Sequence, residues 1–105
     1  KVEDYGIGFY TKYGDGGVDI APIADLYKTE VRELGWHLGV MDEIIDAKPT
    51  DGLWEDGRSD EDQIGATYAQ LEEAMENGTG DAVDILSRFN RQNKHKMEPI
   101  PTFKL

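Results

Sequence analysis

The chain has 105 residues, 38% of them hydrophobic, with two Trp, five Tyr and three Phe. This is enough for one modest core, since domains of about this size lie toward the lower end of independent folding. A formal net charge of -11 excludes general attraction to nucleic acid, because neutralising phosphates takes clustered Lys and Arg rather than an excess of acids. No stretch approaches the roughly 20 apolar residues of a membrane helix, and no cysteine is present for disulfides or zinc. A soluble, cytoplasmic protein without nucleic-acid or membrane partners is the expectation. Lys1 stands where Met would open a complete chain and no apolar block follows it, so a cut within a longer polypeptide is expected and a signal peptide is not.

Residues 5 to 20 are rich in glycine and interleaved with Phe9, Tyr10, Tyr13, Val18 and Ile20, which predicts a tight loop flanked by short extended pieces. Tyr27, Val31, Leu34 and Leu38 then repeat at helical spacing, predicting a helix capped by Asp25 and ended by Gly39. A short helical turn is expected over Met41 to Asp46. From Ala47 to Arg58 neither periodicity persists, and Pro49, Gly52 and Gly57 mark a mobile acidic loop around Leu53 and Trp54.

Ser59 with Asp62, and Thr67 with Gln70, have the spacing of capping boxes and predict two helix starts. Ala82, Ile85, Leu86 and Phe89 form one stripe of a last helix between Gly80 and about Lys94, after which Pro99 and Pro101 force an extended tail. The inventory is four or five short helices with little strand. None has an obvious partner for its apolar face, so upstream chain is expected to be missing.

Four clusters can carry chemistry. Tyr10-Thr11-Lys12-Tyr13-Gly14-Asp15-Gly16-Gly17-Val18-Asp19-Ile20 puts a cation and two carboxylates in a loop that glycine lets approach a ligand, although a plain charged turn reads the same way. It is neither a Walker loop nor an EF-hand. Lys28 lies in the first turn of a helix, where the positive end of the dipole disfavours it unless an anion is near. The segment Lys48 to Asp62 has the character of an active-site lid and equally of a surface loop. Lys94-His95-Lys96 ends a helix, where cations also serve the dipole. His37 beside Trp36 reads as structural, and two histidines without cysteine make no metal signature.

The order and spacing of these pieces resemble a known family. YTKYGDGGVDI, PIADLYKTEVRELG, AKPTDGLWEDGRSDEDQIG followed by YAQLEEAM, and KHKMEPIP together look like the carboxy-terminal portion of ammonia-dependent NAD synthetase over essentially all 105 residues. The resemblance implies an α/β fold of the adenine-nucleotide alpha-hydrolase type. Its doubly wound parallel sheet carries helices on both faces, and it assembles as a homodimer. Residues 1 to 105 would be the carboxy-terminal, mostly helical part of a single synthetase domain.

The implied reaction uses ATP, with Mg2+ as cofactor, to adenylate the nicotinate carboxylate of deamido-NAD, releasing pyrophosphate. Ammonia then displaces AMP to give NAD, so the family is a carbon-nitrogen ligase. Carried over by position, Lys12, Asp19, His95 and Lys96 would touch deamido-NAD, and Lys28 and Thr50 the phosphates of ATP. Asp15 would hold ammonium and take its proton. Glu3 would bind the metal, although the count back from Thr11-Lys12 points to Asp4; Glu3 is preferred because the family uses Glu.

The departure is that the family's pyrophosphatase loop, Ser-Gly-Gly-x-Asp-Ser, is absent from these residues. The 105 residues alone are therefore expected to be inactive and to supply only part of an active site. Two other readings stay open: the synthetase domain of a glutamine-dependent enzyme, and a non-catalytic acidic helical interaction module.

Overall fold

The computed structural model describes residues 2–14 and 17–105, without the side chains of residues 3–5. The expectations for Asp15 and for Glu3 or Asp4 lie outside the described groups. The chain opens with a π-helical segment, Val2–Ile7. Among the described residues five α-helices follow: α1 (Lys28–His37), α2 (Asp42–Ile45), α3 (Asp60–Ile64), α4 (Tyr68–Asn77) and α5 (Val83–Asn93). A 3-10 turn, Lys94–Met97, continues α5, and the tail beyond Glu98 is irregular. Among the described residues there is no strand.

The core forms where the opening segment meets α4 and α5. Val2, Ile7 and Leu71 are fully buried, joined by Ile64, Tyr68, Ala74 and Ala82. Ala82 belongs to the predicted stripe of α5, and Ile85, Leu86 and Phe89 pack on the same cluster. A Cβ on Gly6 would lie 2.7 Å from Met75 Sδ, so its missing side chain sets how closely the opening segment approaches α4. Asn90 Nδ2 donates to the Gly6 carbonyl at 2.8 Å, and Asn93 Nδ2 to that of Ile7 at 2.9 Å. These contacts explain one departure from expectation. Residues 5–7 are helical rather than extended, because the Ile7 side chain joins the core cluster and the Gly6 and Ile7 carbonyls are claimed by α5.

Helix α1 begins at Lys28 and not at Asp25. Residues 21–26 form tight turns, with Ala24 N donating to Ala21 O and Leu26 N to Ile23 O. Glu30, three residues past Tyr27, accepts the Tyr27 amide at 2.7 Å, so the reciprocal half of a capping box marks the start. The end is as expected, with Gly39 at φ 77 just beyond it. Both predicted capping boxes form. Ser59 Oγ accepts from Asp62 N and Thr67 Oγ1 from Gln70 N, each at 3.1 Å, and α3 and α4 start there.

The helices cover one another incompletely. Leu38, Met41 and Ile44 on the α1–α2 hairpin are 73%, 61% and 60% exposed, and α1 buries no residue fully. The Cα radius of gyration, 15.2 Å, exceeds the ~13 Å typical of a compact 100-residue domain. No helix among the described residues is long and apolar enough to cross a membrane.

Two outcomes follow for stability. Leu71→Ala should lower the unfolding free energy by about 2–5 kcal/mol, read as a shift of the denaturant midpoint at constant slope. The Ser59 amide and then its hydroxyl hold the Asp62 carboxyl below the usual carboxylate range. A depressed folded pKa stabilises the fold fully above the unfolded value and loses that contribution as pH falls through the folded value. The stability gap between wild type and Asp62→Asn should therefore be full above about pH 5 and close on further acidification.

Candidate functional site

Gly8 turns the chain out of the opening segment at φ 65, where an added Cβ would lie 2.5 Å from Asn93 Cβ. Its carbonyl accepts both the Tyr10 amide and Lys96 Nζ, each at 3.0 Å. Tyr10 returns its hydroxyl to the Lys96 carbonyl at 3.1 Å, and Lys12 Nζ donates to the His95 carbonyl at 2.6 Å. The glycine-rich loop and the 3-10 turn after α5 are thereby stitched together, although more than eighty residues separate them. Lys12, His95 and Lys96, singled out separately in the sequence, meet at one edge.

On the opposite side, Pro49 O accepts the Asp60 amide at 2.8 Å and pinches the base of the loop between α2 and α3. Asp51 caps the Leu53 amide with one oxygen and takes Gln63 Nε2 with the other. Farther out, the Arg58 guanidinium lies 4.1 Å from the centre of the Trp54 ring and pairs with Asp56 at 2.6 Å. The Arg58 side chain, then its amide, holds the Asp56 carboxyl below its ordinary range. Both groups are exposed, so the pair orders the loop tip more than it stabilises the fold.

Between these walls lies an open cleft of about 1260 Å³. Asp19, Lys28, Thr50 and Lys96 all line it, so four of the residues expected at the site share one cavity. Apolar lining comes from Ile20, Ile23, Leu53 and Trp54. Lys12 and His95 are not among its lining residues, although their chain neighbours Thr11 and Lys96 are. His37 lies elsewhere, edge-on to Trp36 and 4.0 Å from Glu33 on the exposed side of α1. Among the described residues no group of three or more His, Cys, Asp or Glu could hold a metal.

Lys28 is the first residue of α1, and its Nζ sits 5.3 Å from the centre of the Tyr68 ring. Its chain neighbours are held by the same helix. Thr29 N and Oγ1 both donate to the Glu72 carboxylate, at 3.1 and 2.7 Å, and the Tyr27 hydroxyl donates to Glu76 at 2.5 Å. That bond, then burial, then the charges of Glu76, Glu30 and Glu72 push the Tyr27 phenol up to about 12. Sequence reasoning missed Tyr68, Glu72 and Glu76. Their spacing of four along α4 was the available signal, since it places them on one face.

A family model described as NAD synthase matches residues 1–100. The chain is similar to the NH(3)-dependent NAD(+) synthetase of Methanococcoides burtonii, at 54% identity over 70 residues, covering 67% of this chain and 26% of that protein. Against the protein of the same name from Finegoldia magna the identity is 42% over 97 residues, covering 91% and 40%. In three dimensions the whole chain superposes on 44% of an NMN synthetase from Francisella tularensis, with a TM-score of 0.80 and 34% identity. The expected fold class, a mostly helical part of this α/β architecture, is thereby borne out. The chain spans less than half the length of these relatives. With essentially its full length matched and its loops converging on one cleft, the chain belongs to the NAD synthase family.

Proposed function

We propose that these residues form one wall of the active site of an ATP-dependent, ammonia-using NAD synthetase, a homodimeric cytoplasmic ligase. The observation that carries this reading is the meeting of Asp19, Lys28, Thr50 and Lys96 around one cleft in a member of the NAD synthase family. In this reading residues 1–105 are the carboxy-terminal part of a single synthetase domain. The Ser-Gly-Gly-x-Asp-Ser loop comes from residues outside them.

A carboxylate is a poor acyl donor, so the nicotinate oxygen first attacks the α-phosphorus of ATP and pyrophosphate leaves. Lys28 offsets charge on the departing phosphates and the Thr50 hydroxyl donates to them from the loop. Lys12, Asp19, His95 and Lys96 hold deamido-NAD, using the edge where the glycine-rich loop is stitched to the 3-10 turn. Asp15 orients ammonium and accepts its proton, after which nitrogen attacks the acyl carbon and AMP leaves with the bonding pair. Glu3 would hold the magnesium ion together with the phosphates of ATP, a donor set of the hard oxygen ligands that this ion prefers. Magnesium there would neutralise charge on the triphosphate.

In the full-length protein, Lys28→Ala should reduce pyrophosphate release by about 100-fold with ATP and deamido-NAD present. Near-normal release would overturn the role of Lys28. Running the assay with ammonium or glutamine, and with deamido-NAD or nicotinate mononucleotide, separates the NAD synthetase reading from the glutamine-dependent one and from the activity named for the Francisella relative. Gly8→Ala forces a strained φ and a clash with Asn93, displacing the loop that carries Lys12. It should raise KM for deamido-NAD by about tenfold.

A further inference from the structure

Three consecutive residues at the start of α1 meet three residues spaced by four on α4. Tyr27 donates to Glu76, Lys28 lies over the ring of Tyr68, and Thr29 gives both its amide and its hydroxyl to Glu72. The other side of α4 carries Leu71 and Ala74 into the core. One helix therefore ties the first turn of α1 to the packed interior.

This arrangement does more than join two helices. Thr29 N is one of the donors that an α-helix start leaves without an intrahelical partner, and a carboxylate from another helix satisfies it. With both flanking residues held from α4, the backbone of Lys28 has little freedom to rotate or slide. The Tyr68 ring, only 2% exposed, is itself immobilised and hydrogen-bonded to Asp60 at 3.3 Å. A lysine carries a compact charge on a flexible stem and loses considerable rotamer freedom when it grips an anion. Anchoring its neighbours and bedding its ammonium against a fixed ring meets part of that loss before any ligand arrives.

We infer that Glu72 and Glu76, with Tyr27 and Thr29, are positioning residues that hold Lys28 in register with the nucleotide phosphates. The inference deepens the proposed function and rests on it. Glu72 and Glu76 touch no substrate in this scheme; they act through the first turn of α1. Their negative charge near a phosphate site would by itself weaken anion binding, so their benefit must come through geometry.

The test uses the full-length protein. Glu72→Ala/Glu76→Ala should raise KM for ATP by about tenfold and leave KM for deamido-NAD within about twofold. Glu72→Gln, which keeps an acceptor oxygen for Thr29, should recover most of the loss, whereas a purely electrostatic effect of the carboxylate would make Gln and Ala alike. Tyr27→Phe removes a single hydroxyl and should raise KM for ATP by about threefold, which keeps the idea testable if the double variant fails to fold. Unaltered KM for ATP in active Glu72→Ala/Glu76→Ala or Tyr27→Phe protein overturns the inference alone. A parallel rise in both KM values also overturns it, by marking a general structural defect. Absence of any turnover in wild type overturns the functional reading and the inference with it.

Discussion

The carboxylate of Glu72 receives two donors from Thr29, and the geometry of the cleft follows from that junction. Helix α1 contributes almost nothing to the core, so apolar packing cannot set its orientation. Hydrogen bonds to α4 do so instead. Because α4 is seated through Leu71 and Ala74 against the opening π-helical segment and α5, the position of Lys28 is inherited from the best-packed part of the molecule. Polar contacts of this kind are modest in net energy but directional, so they can fix where the Lys28 side chain starts.

The cleft has two walls of different construction. On one side, the glycine-rich loop and the 3-10 turn are joined by hydrogen bonds from the Tyr10 hydroxyl and from the Lys12 and Lys96 ammonium groups to backbone carbonyls. On the other, the acidic loop is clipped at its base by a backbone bond and ordered at its tip by Arg58 on Trp54. Distant pieces of sequence are brought together by main-chain carbonyls, and Asp19, Lys28, Thr50 and Lys96 line the cavity between them.

Much of the helical layout was legible in the sequence. Capping boxes at Ser59 and Thr67, the glycine after α1 and the apolar stripe of α5 are local signals, and each depends on groups within a few residues. The start of α1 was misplaced because Asp25 has the right chemistry for a cap, whereas the actual start is decided by Glu30 and by α4, a helix more than thirty residues away. The helical course of residues 5–7 was missed for the same reason, since Asn90 and Asn93 reach it from the far end of the chain. For the site, the sequence identified residues individually. That Asp19, Lys28, Thr50 and Lys96 share a cavity is a long-range fact that no local spacing encodes, and the spacing of Tyr68, Glu72 and Glu76 marks a shared face of α4 without naming Tyr27, Lys28 and Thr29 as what it meets.

The loop between α2 and α3 is closed by the Pro49 carbonyl and the Asp60 amide, a bond that no side chain enters. Mutational drift at its tip can therefore change the shape and polarity offered to an incoming molecule while leaving the hinge in place. Selectivity at this wall can evolve separately from the framework that supports it.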